Sequence, residues 1–291
     1  MTAARRHLSC FGLGYTAQAL AARLAADGWT VTGTCRSSDQ ATALAAQGYA
    51  CQRFDRDHPL APEVLTDATH ILVSIPPEEG GDPVLDRHRD DIAAIGGISW
   101  LGYLSTTGVY GDREGAWVDE ASELRPSGAR GQRRVAAEIA WLDLWRDRRV
   151  PVHIFRLAGI YGPGRSPFDA LRAGTAKRIA KPGQVFSRIH VDDLASVLIA
   201  SIARARPGAV YNVCDDEPAS PADVIAHAAG LLGVPAPPLV PFEEAALSPM
   251  AKSFYADNKR VSNALIKAEL GVRLRYPDYR AGLAAILAAG G

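Results

Sequence analysis

The chain is 291 residues long, 47% hydrophobic and 22% charged, with 32 basic side chains against 32 acidic ones. That length suits one large domain or two smaller ones, and zero net charge gives no electrostatic case for nucleic acid or an anionic membrane as partner. Four scattered cysteines (Cys10, Cys35, Cys51, Cys214) form no CxxC pair and no zinc spacing, and the N-terminus carries no signal-peptide pattern. The expectation is a reducing, cytoplasmic protein without a metal. The longest charge-free stretch, residues 92–111, is cut by Gly96-Gly97, Gly102 and Ser105-Thr106-Thr107, which excludes a lipid-facing helix of ~20 apolar residues.

Taken in chain order, apolar runs rich in β-branched and aromatic residues alternate with amphipathic stretches. Strand patterns fall at 7–12, 29–35, 50–54, 70–75, 100–105 and 150–157, and helical ones at 15–26, 39–46, 85–95 and 132–148. Short continuous apolar strands separated by helices predict a doubly wound parallel α/β sheet of the Rossmann type. Beyond residue 157 the rhythm loosens. A Gly/Pro loop at 159–165 precedes a helix at 192–205 that opens on Asp192-Asp193, then a strand at 209–214 and a helix at 220–232 with Ser220 as N-cap and Pro221 in its first turn. A proline-rich connector follows at 235–241, and the tail from 259 to 287 reads as helix interrupted near Pro277. The expected division is a dinucleotide-binding domain over 1–157, with about 184–215 folding back onto it, and a smaller C-terminal substrate-capping portion over 158–291.

Gly12-Leu13-Gly14-Tyr15-Thr16-Ala17 is a G-x-G-x-x-A string placed where the first strand meets the first helix. Gly12 permits a tight turn, Gly14 lets backbone approach a pyrophosphate, and Ala17 keeps helix and strand close, with Tyr15 and Thr16 opening the helix toward the phosphates. At the end of the second strand an NAD site wants a carboxylate for the ribose hydroxyls, and this chain has Arg36-Ser37. Guanidinium and hydroxyl suit a 2′-phosphate, so NADP is expected, with NAD as the alternative. A solvated surface arginine is the competing reading of Arg36. Asp55, past the third strand, is placed to meet the adenine amino group, and Ser74, near the end of the fourth, joins the cofactor set.

These pieces, together with Ser105-Thr106-Thr107-Gly108-Val109-Tyr110-Gly111, Arg156–Gly164, Arg188–Leu194 and Asn258-Lys259-Arg260, resemble the extended short-chain dehydrogenase/reductases, the NAD-dependent epimerase/dehydratase group, over almost the whole chain. The resemblance implies a Rossmann domain carrying the cofactor and a smaller portion closing over the substrate. In that family a Ser/Thr polarises the substrate, a Tyr acts as acid and base, and a Lys four residues later supports the Tyr and the ribose. The hydroxyl position maps onto Thr106. The Tyr and Lys positions hold Arg130 and Arg134, and no lysine precedes Lys177. Arginine stays protonated and cannot shuttle a proton near neutral pH. The G-x-G spacing also departs from the family's G-x-x-G-x-x-G.

Arg130 and Arg134 lie one helical turn apart. Arg134 is read as holding cofactor and Arg130 as holding an anionic substrate, with an Arg134–Glu138 surface pair as the alternative. Tyr110 is a candidate substitute acid, its phenol pKa of ~10 open to lowering by a nearby cation. Tyr161, Arg188 and His190 match family segments that line the substrate cleft. A packed histidine is the alternative for His190, and the Trp141/Trp145 stripe reads as core or subunit interface. The function expected is an NAD(P)-dependent oxidoreductase or epimerase/dehydratase-like enzyme on a small polar, nucleotide-sugar-like substrate, forming a homodimer by family resemblance. The alternative is a non-catalytic NADP-binding redox sensor or scaffold protein.

Overall fold

The computed structural model describes residues 6–291. In chain order come β1 (His7–Phe11), α1 (Tyr15–Ala26), β2 (Thr30–Cys35), α2 (Ser38–Ala46), β3 (Ala50–Arg53), β4 (His70–Val73), α3 (Pro83–Ala94), β5 (Trp100–Thr106), β6 (Trp117–Val118), α4 (Ala129–Arg148), β7 (Val152–Leu157) and β8 (Gly159–Tyr161). Then follow α5 (Pro167–Arg172), β9 (Arg178–Ala180), β10 (Arg188–His190), α6 (Val191–Ala203), β11 (Val210–Val213), α7 (Pro221–Leu232), β12 (Leu239–Pro241), α8 (Pro249–Ala256), β13 (Arg260–Val261), α9 (Ala264–Leu270) and α10 (Tyr279–Ala288).

Seven strands form one parallel sheet in the order β3-β2-β1-β4-β5-β7-β11, with Leu8 opposite Val31 on one side and His70 on the other. β1, β4, β5 and β7 are buried almost throughout. That is why their sequences are continuous apolar runs rather than alternating ones. Crossing from β1 to β2 through α1 keeps both parallel, and the strand order reverses at β1/β4. Open α/β sheets bind ligands beyond the carboxyl ends of strands at such a switch point.

The chain divides into two compact units. Unit 1 comprises Met1–Thr106, Gln132–Arg156 and Ala195–Tyr211, and unit 2 comprises Thr107–Gly131, Leu157–Leu194 and Asn212–Gly291. This corrects the expected boundaries. Residues 107–131 belong to the second unit, and the segment folding back into the first is 195–211 rather than 184–215. Unit 1 has a core built on Phe11, Val73, Tyr103, Trp141 and Ile154, and the Trp141 stripe of α4 is part of it. The core of unit 2 joins Tyr161, Phe168, Val224, Tyr279 and Leu283. Ser220 caps α7 through Ala222 N–H, and the tail expected to be helical over 259–287 with a break near Pro277 is two helices, α9 and α10, with the Gly271 cap and Pro277 between them. The short strands of unit 2, two or three residues each, are too brief to leave a period in the sequence. No helix among the described residues is long and apolar enough to cross a membrane.

Candidate functional site

In unit 1 the two fingerprint glycines do different work. Gly12 has φ +88°, and a Cβ there would stand 2.7 Å from Ser74 Oγ. Its N–H donates to Thr34 Oγ1 at 2.8 Å, and Ser74 Oγ donates to its carbonyl at 2.6 Å. Gly12 is therefore required by the turn itself. Gly14 is extended, caps α1 without any side chain, and a Cβ on it would meet nothing within 4 Å. Nothing in the fold demands glycine there. The first intrahelical bond of α1 is Gln18 N–H to Gly14 O at 2.8 Å, so the positive end of the helix opens beside this empty space, as an anion site requires. Thr16 and Ala17 are buried where α1 packs on the sheet. A cavity of about 840 Å³ runs from here, lined by Gly12, Gly14, Tyr15, Arg36, Asp55 and Ser74 among others.

Arg36, which also lines this cavity, is exposed. Its backbone N–H donates to Gln40 Oε1 at 3.1 Å, and its guanidinium meets no acceptor among the described residues. Ser37 is the N-cap of α2, accepting from Gln40 N–H at 3.3 Å, and does not line the cavity. Asp55 lines the same cavity, and its carboxylate is held by its own loop. One carboxylate oxygen accepts from Asp57 N–H, His58 N–H and His58 Nδ1 (2.9, 2.9 and 2.7 Å), the other from Arg53 Nε and Nη2 at 3.1 and 2.9 Å. The 53–58 loop thus fixes the carboxylate in place while leaving the side chain 35% exposed. These bonds, that from His58 foremost, lower its pKa to about 2.

At the end of β5, Thr106 is half-buried. The cofactor reading of Arg134 is corrected: Nη1 donates to Leu104 O at 2.6 Å and Tyr103 OH at 3.1 Å, with the guanidinium over the Tyr103 ring at 5.7 Å. This cation braces β5. Nor does it pair with Glu138 on the surface, because Glu138 is buried, accepts from Ser105 Oγ at 2.5 Å, and takes Arg156 Nη2 at 2.9 Å and Nε at 3.2 Å. Sequence reasoning missed this network. The available signal was a lone carboxylate between Ala137 and Trp141 on the apolar face of a helix.

In unit 2, Arg130 lies over the ring of Phe254 at 5.8 Å, and that ring is 55% exposed. Tyr110 is fully buried and donates its hydroxyl to Asn212 Oδ1 at 2.7 Å. A phenol so enclosed is a core hydrogen bond and not an acid facing a ligand, which corrects its catalytic assignment. The three expected substrate contacts beyond it are corrected likewise. Tyr161 OH donates to Asp278 O at 3.4 Å above Gly282, where a Cβ would come within 2.0 Å of it, and burial raises its pKa. His190 packs between Tyr161 and Tyr276, with centroids at 5.2 and 4.1 Å, and its Nδ1 accepts from Asp192 N–H. Burial pushes its pKa down, and this is the packed histidine of the alternative reading. Arg188 Nη1 donates to Phe186 O at 2.8 Å and Ala219 O at 3.1 Å.

The Asn258-Lys259-Arg260 segment is a splice between loops. Asn258 accepts at its carbonyl from Arg113 and Gly115, donates its N–H to Asp112, and joins Val185 and Gly183 through its side-chain amide. Lys259 Nζ donates to Gly111 O at 2.8 Å. Asp215, unremarked in the sequence, is buried, and desolvation raises its pKa to about 8 against the pull of Arg188.

Comparison with known proteins places these features among relatives. Residues 91–214 match the model of the NAD dependent epimerase/dehydratase family. A solved structure of a functionally unknown conserved protein from Silicibacter pomeroyi is 55% identical, with a TM-score of 0.90 over 98% of this chain and 99% of that one. The protein YeeZ of Escherichia coli is 29% identical over 94% of this chain and 97% of its own length. A UDP-glucuronic acid 4-epimerase from Bacillus cereus, solved with UDP-glucuronic acid and NAD, shares the fold (TM-score 0.79, 96% of this chain and 97% of that one) at 16% identity.

Proposed function

From the match of residues 91–214 to the model of the NAD dependent epimerase/dehydratase family, we propose that the chain is an NADP-dependent oxidoreductase or epimerase/dehydratase-like enzyme acting on a small polar substrate. The observation that carries this reading is the open space over Gly14 at the start of α1, which no side chain caps, in one cavity with a guanidinium that meets no acceptor among the described residues. A dinucleotide pyrophosphate fits the first, and a ribose 2′-phosphate fits the second. When bound, the dinucleotide supplies hydride chemistry.

The chain's own residues have separate tasks in this reading. The α1 N-terminus and Gly14 hold the pyrophosphate, and Arg36 binds the 2′-phosphate through paired charge-assisted bonds. Ser74, already bonded to Gly12, holds the turn in shape. The Thr106 hydroxyl, at the carboxyl end of β5, donates a hydrogen bond to a substrate oxygen as charge builds on it. The nucleotide sugar bound to the Bacillus cereus relative supports a hydroxylated, nucleotide-sugar-like substrate. A second reading, cofactor binding without turnover, is favoured by one set of facts. Arginine stands at both acid–base positions, Arg134 is committed to β5, and Tyr110 is sealed in the core.

Calorimetric titration with NADP(H) and NAD(H) tests the cofactor half, with NADP(H) expected to bind more tightly. Equal affinities in the wild-type protein would remove the case for NADP. Turnover across ketone, aldehyde and nucleotide-sugar panels tests the enzymatic half. Thr106→Val, which keeps shape and loses the hydroxyl, is expected to lower kcat. Tight NADP(H) binding with no turnover on any panel selects the second reading.

A further inference from the structure

Unit 2 contains its own cavity, of about 520 Å³, within the range of small-ligand sites. We propose that it binds a phosphorylated polyol, a phosphate monoester carrying free hydroxyls, anchored by Arg178. This replaces the nucleotide-sugar-like part of the proposed substrate with a simple sugar phosphate, and rests on the proposed function only in calling the ligand a substrate.

The wall carries four cations, Arg178, Lys181, Arg260 and Arg280, and two carboxylates, Glu217 and Asp223. Arg280 and Glu217 cancel, paired at 2.6 Å. Lys181 donates to the carbonyl of Tyr255 and Arg260 to that of Gly115. These are neutral acceptors, which leave both positive charges uncompensated and most of their donors unused. The Arg178 side chain has no acceptor at all among the described residues, and its Nε is buried without a partner. Three cations therefore face one free carboxylate, an excess that matches the roughly two negative charges of a phosphate monoester.

Two further features select the rest of the ligand. Gln184 is 3% exposed and donates Nε2 to Asp257 O at 2.8 Å, while its Oε1 accepts from nothing. Together with the exposed Asp223 carboxylate, it supplies acceptors suited to hydroxyl donors and unsuited to a second phosphate. Tyr279 is the one aromatic ring among the described lining residues. Arg280 lies over it at 4.5 Å and His227 meets it edge-on at 5.6 Å. At 4% exposure the ring offers no open face on which a nucleobase would stack. The cavity suits a sugar phosphate and not a nucleoside diphosphate.

The test titrates the full chain calorimetrically with a panel of triose, pentose and hexose phosphates, with inorganic phosphate, and with uridine diphosphate. At least one sugar phosphate is expected to bind tenfold or more tightly than either of the other two. Arg178→Ala is expected to weaken it at least tenfold and Arg178→Lys less than that, both with unchanged thermal unfolding because the side chain meets no acceptor among the described residues. Uridine diphosphate binding as tightly as the best sugar phosphate, no sugar phosphate exceeding inorganic phosphate, or an unchanged affinity in Arg178→Ala each overturns the proposal. NADP(H) titrated into the same variants separates the two readings. Cofactor binding intact beside a failed sugar-phosphate titration removes only this inference, and the reverse removes only the cofactor assignment.

Discussion

The two cavities are built on opposite principles. That of unit 1 is shaped by backbone: a left-handed Gly12, a Gly14 with no atoms in the way, and a helix start that no side chain caps. That of unit 2 is made of long side chains, Arg178, Lys181, Arg260 and Arg280, drawn from segments about eighty to one hundred positions apart at the extremes. A backbone site demands particular residues at consecutive positions, so it leaves a string in the sequence. A side-chain site demands only that charges end up together, and it leaves none. The difference also separates folding from binding: Gly12 serves the turn, whereas the open Gly14 position and the Arg178 side chain meet no partner among the described residues.

The largest effect expected in breaking this separation falls on folding in unit 1. Arg156→Ala strips the buried Glu138 of its cation, both side chains being at most 6% exposed, and is expected to cost about 3–5 kcal/mol in urea unfolding, because a buried carboxylate is left uncompensated. A loss within ~0.5 kcal/mol would show that the network is not structural. Next comes Gly14→Val, expected to weaken cofactor binding at least ~100-fold, or about 2.7 kcal/mol, while the unfolding midpoint stays put. If binding survives intact, the glycine loop is only a turn.

A third effect sharpens the contrast through pH. His153 of unit 1 donates Nδ1–H to Leu101 O and accepts Arg206 N–H at Nε2, and burial lowers its pKa to about 4. It binds more protons unfolded than folded in the interval, so its stabilisation is complete above ~6.5 and lost as pH falls toward 4. Asp215 of unit 2 runs the other way. With its pKa raised to about 8, its contribution is complete below ~4 and lost as pH rises through 8. Urea titrations at pH 4.5, 6.5 and 8.5 are expected to show His153→Gln flattening the acid side and Asp215→Asn the alkaline side, by on the order of 2 kcal/mol each. Profiles parallel to wild type would remove either assignment. The smallest effect is Arg36→Ala, expected to weaken NADP(H) roughly tenfold, about 1.5 kcal/mol, and NAD(H) hardly at all. A matching loss for both cofactors would mean that Arg36 does not read the 2′-phosphate.

Much of unit 1 is legible in the amino-acid sequence, because a strand covered on both faces must be apolar throughout and a helix lying on it must repeat every 3.6 residues. Those are local constraints, and β1 to β5 with α1 to α4 fall where the pattern puts them, to within a few residues. The G-x-G-x-x-A string is legible for the same reason. Arg134 and Glu138 are misread as neighbours on a helix surface, because i,i+4 spacing says which side chains share a face and not which way that face looks. Tyr110 is misread because the residue that accepts its hydrogen bond, Asn212, lies 102 positions away.

The sequence by itself determined the alternation of strands and helices, the turn at Gly12, the cleared approach at Gly14 and the absence of lysine from the first 176 positions. Each is a property of consecutive residues or of composition, governed by backbone dihedrals, periodic burial or simple counting. Only the tertiary structure decided that Glu138 pairs with Arg156, that Tyr110, Tyr161 and His190 are interior, that Arg134 braces β5, and that the Arg178 side chain meets no acceptor among the described residues. Those outcomes depend on which charges and hydroxyls are desolvated together. Desolvation is set by packing between residues remote in the chain, and no local pattern records it.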